Sequence, residues 1–198
     1  VFYSRRSLVA ATRARFNSSI STLSPLRNKS LVEINTHIKK KPHSVLRDIS
    51  VEIHKSGTVQ TIVTSSRAKM TANKTALALA LSMQSDKTKI AVINFSEKHE
   101  KQSFNADQAS VGSFLIAESE GQVSLLEPLE NTKAMDLVSH KEFLNKIRSL
   151  ETTFNMIFLC ADNGDAISLL RALEGQKVFH LALARVKRTK SDAILSMR

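Results

Sequence analysis

The chain has 198 residues, of which 42% are hydrophobic and 24% charged, with a net charge of +11. These fractions are typical of a globular protein with one substantial core and do not favour a disordered chain, and no stretch is long and apolar enough to span a bilayer. The single cysteine, Cys160, lies in an apolar run, which favours a reducing compartment. The six histidines have no metal-ligand spacing, so we expect no metal site.

The positive charge is concentrated at the start of the chain. Residues 1–42 contain nine Lys and Arg residues against the single Glu33, a net +8, which leaves +3 for the rest. We predict a basic tail with one short ordered piece around Leu23 to Ile38. It is interpreted as a juxtamembrane segment that binds an anionic membrane surface, as a flexible linker, or as a transit-peptide-like segment. No recognition motif or aromatic interleaving indicates a nucleic-acid partner.

A regular alternation of helices and strands begins after this tail. Helical spacing predicts a short helix from Val45 to Ile53, and a β-branched run predicts a strand at Thr58 to Thr64. A polar loop, a long helix from Lys74 to Gln84 and a strand at Lys89 to Ile93 follow. Strand, helix and strand at this spacing form a βαβ unit, which implies a parallel sheet.

The remaining pattern extends the same architecture to the end of the chain. The expected elements are a short helix at Gly112 to Glu118, a helix at Lys141 to Leu150, a strand at Asn155 to Cys160, a turn at Asp162 to Asp165, a helix from Asp165 to Glu174, a strand at Val178 to Leu183 and a terminal helix from Thr189. We therefore predict an α/β fold over residues 43–198, with a doubly wound, mainly parallel sheet in a three-layer αβα arrangement.

The loop after the first strand has the chemistry of a degraded phosphate-binding loop. Lys74 and Thr75 stand where a P-loop has its Lys-[Ser/Thr] pair, and Lys69 lies five positions earlier. Glycines in such a loop let backbone N–H groups surround phosphates, but Met70, Thr71 and Asn73 occupy the expected glycine positions. Forcing a non-glycine residue into the left-handed region costs about 1 to 3 kcal/mol. We expect Lys69, Lys74 and Thr75 to form at most a weak residual phosphate site; the alternative is an ordinary helix start with Thr71 or Asn73 as N-cap.

Seven stretches, in order, resemble the cytoplasmic P-loop domain of bacterial polysaccharide-export tyrosine kinases and chain-length determinant proteins. Lys69 to Thr75 is similar to the family's deviant Walker A motif, with Lys69 in the position of its signature lysine. Lys89 to Phe95 is similar to the family's strand that ends in an aspartate. The other stretches are Ser44 to Ile53, Val111 to Ala117, Asp136 to Phe143, Phe154 to Ala161 and Val178 to Asp192. The resemblance implies a P-loop NTPase-like fold and, through the helix at Ser44 to Ile53, a possible homo-oligomer.

The acidic residues of the family's motifs are replaced in this chain. Asn94 stands in one aspartate position and Cys160 in the Walker B aspartate position, while Asp162 is either a substitute or a turn residue. Tyr3 is the single tyrosine, so the family's tyrosine tail is absent from this sequence. The resemblance then implies a pseudo-kinase without a cofactor. Such a domain would regulate or scaffold exopolysaccharide or capsule polymerisation and export machinery at the cytoplasmic face of the bacterial inner membrane. Because the chain starts at Val1 rather than Met, we expect a fragment of a membrane-anchored protein.

Lys69, Lys74 and Thr75 are also compatible with two other functions. A divergent tyrosine kinase or ATPase would still bind ATP with magnesium through Lys69, Lys74 and Thr75. A phosphate-responsive binding module would use the same side chains without turnover. Magnesium-dependent nucleotide binding distinguishes these functions from a non-catalytic domain.

Overall fold

The computed structural model describes residues 30–40, 44–65, 72–95, 110–111, 113–128, 138 and 142–183. The elements in chain order are α1 (Leu31–Lys40), α2 (Ser44–Ser56), β1 (Gln60–Ser65), α3 (Ala72–Met83), β2 (Ile90–Asn94), β3 (Ser110–Val111), β4 (Phe114–Glu120), β5 (Val123–Pro128), α4 (Phe143–Leu150), β6 (Met156–Asp162), α5 (Asn163–Ala172) and β7 (Phe179–Leu183).

A seven-stranded sheet runs through the described part of the chain in the order β3-β4-β5-β2-β6-β1-β7. The pairs among β5, β2, β6, β1 and β7 are all parallel, whereas β3, β4 and β5 pair antiparallel. The apolar runs form the central strands because a parallel sheet is covered on both faces. The prediction of an α/β fold with a mainly parallel sheet is therefore confirmed.

Helices cover the two faces of the sheet separately. Consecutive strand residues point to opposite faces, so Val63 packs with α1, α2 and α3, whereas Ile62 packs with α4 and α5. The first core includes Leu77, Val92 and Phe158, and all three are 1% exposed or less. This division is consistent with a three-layer α/β arrangement.

The helix α1 is the ordered piece expected within the basic tail. It begins at Leu31 and ends at Lys40, later than the predicted Leu23 to Ile38, and residues 1–29 lie outside the described part. Its Leu31, Ile34 and Ile38 are buried in the core shared with α2 and α3. Packing therefore continues across the boundary drawn from the sequence at residues 42 and 43.

The predicted short helix at Gly112 to Glu118 is wrong. Phe114 to Glu120 form a strand that pairs with β5 through a tight turn at Gly121 and Gln122, and Gly121 has a φ of +61°. The conformation at Gly121 is one that glycine adopts without steric cost. The antiparallel hairpin was missed because a register shift between Ile116 and Glu118 interrupts the alternation along β4.

The other elements agree with the sequence to within a few residues. The predicted turn at Asp162 to Asp165 is wrong, since β6 ends at Asp162 and α5 begins at the next residue. The predicted helix from Thr189 lies outside the described residues. Within the described ranges, no helix combines the length and the apolar character that crossing a bilayer requires.

Candidate functional site

The connections in the sheet change direction at β1 and β6. From β1 the chain passes through α3 to β2, whereas from β6 it passes through α5 to β7, on the other side of β1. The two helices lie on opposite faces, since α3 contributes to one core and Ala166 and Leu169 of α5 to the other. In open α/β sheets, the crevice at the carboxyl ends of such strands is the usual ligand site.

Polar residues end three adjacent strands at this edge. Ser65 ends β1 and is paired in register with Asp162, which ends β6. Asn94 ends β2 and is paired with Cys160, two positions before the end of β6. Ser65 is fully buried and Asn94 is 4% exposed.

The two positions matched to family aspartates both hold uncharged groups inside the fold. Cys160 has no exposed surface, and its backbone carbonyl accepts a hydrogen bond from the Phe95 N–H at 2.8 Å. An amide at Asn94 and a buried thiol supply no negative charge, and a thiol is a poor magnesium ligand. Asp162 is the acidic residue at the end of this strand, directly across from Ser65.

The helix α3 follows β1 in the chain, with six residues between the end of the strand at Ser65 and the start of the helix at Ala72. The helix begins at Ala72, two residues before the predicted start, so Asn73 is a helical residue and the alternative that makes it the N-cap is wrong. Lys74 and Thr75 lie in its first turn and are half-buried. Lys69, Met70 and Thr71 lie outside the described residues, so the structure places two of the three predicted site residues together.

Asn73 has an unusual environment for a polar side chain. It is 5% exposed, and its Oδ1 has no hydrogen-bond partner. An unpaired buried amide oxygen costs about 1 to 3 kcal/mol. The buried amide therefore destabilises the start of α3, directly before Lys74.

A histidine that was not predicted as a site residue lies in β7, three positions before the carboxyl end of that strand. His180 of β7 and Thr64 of β1 share a hydrogen bond of 2.9 Å between Nε2 and Oγ1. Burial lowers the pKa of His180 from 6.5 to about 4, so the ring is neutral near neutral pH. A lone histidine in an apolar strand gives no sequence signal for this contact, which depends on the pairing of β1 with β7.

Asp165 in the first turn of α5 is the other ionisable group that the fold perturbs in this region. Partial burial raises its pKa from 3.8, although its position in the first turn favours the charged carboxylate. Desolvation therefore outweighs the helix dipole at this side chain. Across the described ranges, no three His, Cys, Asp or Glu side chains are grouped so as to hold a metal ion.

Comparison with known proteins gives no family assignment. No protein-family model matches the sequence, and no curated protein matches it.

Proposed function

We propose that this chain is a non-catalytic, P-loop NTPase-like domain that regulates or scaffolds an exopolysaccharide or capsule export system at the cytoplasmic face of a bacterial inner membrane. The observation that supports it most is the paired position of Asn94 and Cys160 on neighbouring strands β2 and β6. Both replace an aspartate of the kinase motifs that the sequence resembles.

Phosphoryl transfer depends on placing magnesium and positive charge around the phosphates. Carboxylate oxygens are the protein ligands that magnesium uses, and Asn94 and Cys160 provide none. Asn73 adds a buried amide with an unpaired oxygen at a position where a phosphate-binding loop would have glycine. Losses at three separate positions of one site favour a domain that no longer turns over a nucleotide.

A divergent ATP-binding kinase or ATPase is the second candidate, and Asp162 is the observation that favours it. Its position at the end of β6, next to the end of β1, places an acidic residue beside the strand that leads into the loop. Lys74 and Thr75 remain in the first turn of α3. In this candidate Asp162 would hold magnesium in place of a carboxylate at residue 160.

Calorimetric titration of the full chain with ATP, with and without magnesium, tests the two candidates. Because the carboxylates and the glycines are replaced together, we expect no saturable binding at up to about millimolar nucleotide, equivalent to less than about 4 kcal/mol of binding free energy. A micromolar dissociation constant that requires magnesium would contradict a non-catalytic domain.

Substitutions show which residues are responsible if binding is detected. Asp162→Asn and Lys74→Ala should then abolish binding, whereas Asp86→Asn and Lys87→Ala change the same charges at exposed positions between α3 and β2 and should not. Equal binding by all four variants would remove this site from the explanation.

The proposed function implies a membrane surface and proteins as partners. The basic residues 1–29, six Lys and Arg without an acidic residue, would associate with an anionic leaflet, and each charge near the surface contributes about 1 kcal/mol. The polysaccharide polymerisation and export machinery is the proposed protein partner, and self-association through α2 would supply a homo-oligomer.

A further inference from the structure

The helix α1 is held in place by two carboxylates of β4. Glu118 Oε1 accepts a hydrogen bond from the Leu31 N–H at 2.8 Å, and Glu120 Oε1 accepts one from Asn35 Nδ2 at 2.7 Å. The first of these contacts satisfies an N–H group at the start of the helix and places negative charge at its positive end. Both contacts bridge more than eighty residues of sequence.

The start of α1 also has a capping box. The Ser30 N–H donates to Glu33 Oε2 at 2.8 Å, and the Glu33 N–H donates to Ser30 Oγ at 3.3 Å. These local bonds favour the helix independently of β4, because both partners belong to the same turn. The contacts with Glu118 and Glu120 are therefore the polar part of docking rather than of helix formation.

The two faces of α1 have different chemistry. Leu31, Ile34 and Ile38 are buried against the core, whereas the exposed positions hold Glu33 in the first turn and Lys39 and Lys40 in the last turn, along with Val32. A basic amphipathic helix of this kind also fits an anionic lipid surface, where the apolar face enters the interface and the lysines meet the headgroups. The segment before it carries only positive charge.

We propose that α1 is a strap with two positions. In one it is docked on α3 and β4 through Glu118 and Glu120, and in the other it is released from them and bound to an anionic lipid surface. This proposal rests on the membrane association proposed above for the basic residues. Anionic lipid attracts the lysines of α1 and repels the two glutamates that hold it. Release uncovers the face of α3 that α1 covers in the docked position.

The two positions are linked by a thermodynamic cycle. If lipid binds only the released form, the apparent association constant for lipid equals the intrinsic constant multiplied by the fraction of molecules in which α1 is released. Weakening the docked position must therefore strengthen lipid binding. Glu118→Gln with Glu120→Gln keeps the accepting oxygens but removes their charge, and with it the charge assistance of the two hydrogen bonds.

Hydrogen exchange on the full chain measures release directly. We expect phosphatidylglycerol-containing vesicles, but not vesicles of phosphatidylcholine alone, to speed exchange in peptides covering Ala72–Met83 and Phe114–Glu120. Cosedimentation of the same samples measures binding. We expect the E118Q/E120Q variant to bind phosphatidylglycerol vesicles roughly fivefold more tightly than its control.

The control is Asp86→Asn with Glu174→Gln, which makes the same change in net charge at exposed positions. Equal vesicle binding by the two double variants would overturn the strap, since charge alone would then account for binding. If the unchanged chain binds vesicles without faster exchange in α3 and β4, the strap is overturned while membrane association stands. If it does not bind, both proposals fail.

Discussion

His180 is the side chain whose ionisation the fold changes most clearly among those described. Its pKa is about 4 in the folded chain because burial disfavours the imidazolium, whereas the unperturbed value is 6.5. The unfolded chain therefore binds a proton at a pH where the folded chain does not. Since the unfolded state holds more protons between these values, stability increases with pH across this window and is lost as pH falls.

The resulting prediction concerns urea unfolding at two pH values. Between about pH 7 and pH 5, His180 should remove roughly 2 kcal/mol from the free energy of unfolding. In His180→Gln, which can still bond to Thr64 Oγ1 but does not titrate, that loss should disappear. His54→Gln, at an exposed position, is the matched control and should keep it. The same pH dependence in both variants would show that other groups are responsible.

The hairpin of β4 and β5 is the element that the sequence reading missed, and its turn depends on Gly121. An added Cβ at Gly121 would lie 2.9 Å from Gln84 Oε1, and φ there is +61°. Gly57, just after α2, has the same φ but no atom within 4 Å of such a Cβ. Substitutions at both glycines would strain the backbone equally, but only a side chain at Gly121 would also contact another residue.

Alanine substitution at each glycine tests this difference. Each change should lower the free energy of unfolding by about 1 kcal/mol through the left-handed backbone. Gly121→Ala should cost only slightly more than Gly57→Ala, because the atom in contact is the end of the flexible Gln84 side chain, which can move away. Denaturant titration gives both values, and Gln84→Ala combined with Gly121→Ala should remove the difference between the two sites. A larger loss at Gly57 would contradict the contact argument.

At the scale of the whole molecule, the basic tail of residues 1–42 has two parts with different roles, which are residues 1–29 and the helix α1. The buried α1 belongs to the core, whereas the positive charge of residues 1–29 lies before it in the chain. Burial of an aliphatic side chain is worth about 1.5 to 3 kcal/mol. Ordering the helix costs conformational entropy of comparable size, so the net contribution of α1 to stability is smaller than the sum of its three buried apolar residues.

Two truncations separate these roles. A chain that begins at Ser30 should unfold in urea with the midpoint of the full chain but should lose salt-sensitive binding to acidic vesicles. A chain that begins at Ser44 should lose roughly 2 kcal/mol of stability, since α3 is uncovered but the ordering of α1 no longer costs conformational entropy. If the chain from Ser44 is as stable as the chain from Ser30, α1 is not a core element. Equal vesicle binding with and without residues 1–29 would remove the tail from the membrane proposal.

The sequence by itself determined most of the parallel part of the fold. The strands β1, β2, β6 and β7 are short apolar runs, and α3 is a long apolar helix, so length and spacing identify them without knowledge of their partners. The positions of Lys74, Thr75 and Asn94 at strand or helix ends followed from the same alternation. These features depend on local patterns, which the printed residues contain.

Only the tertiary structure decided which residues meet. The hydrogen bond between His180 and Thr64 depends on strand order, which no local pattern encodes. The same is true of the register pairs Ser65 with Asp162 and Asn94 with Cys160. The same holds for α1, whose docking uses Glu118 and Glu120 of a hairpin more than eighty residues away. Contacts of this kind form because distant segments bury their apolar faces together, and the polar partners are set by where that packing brings them.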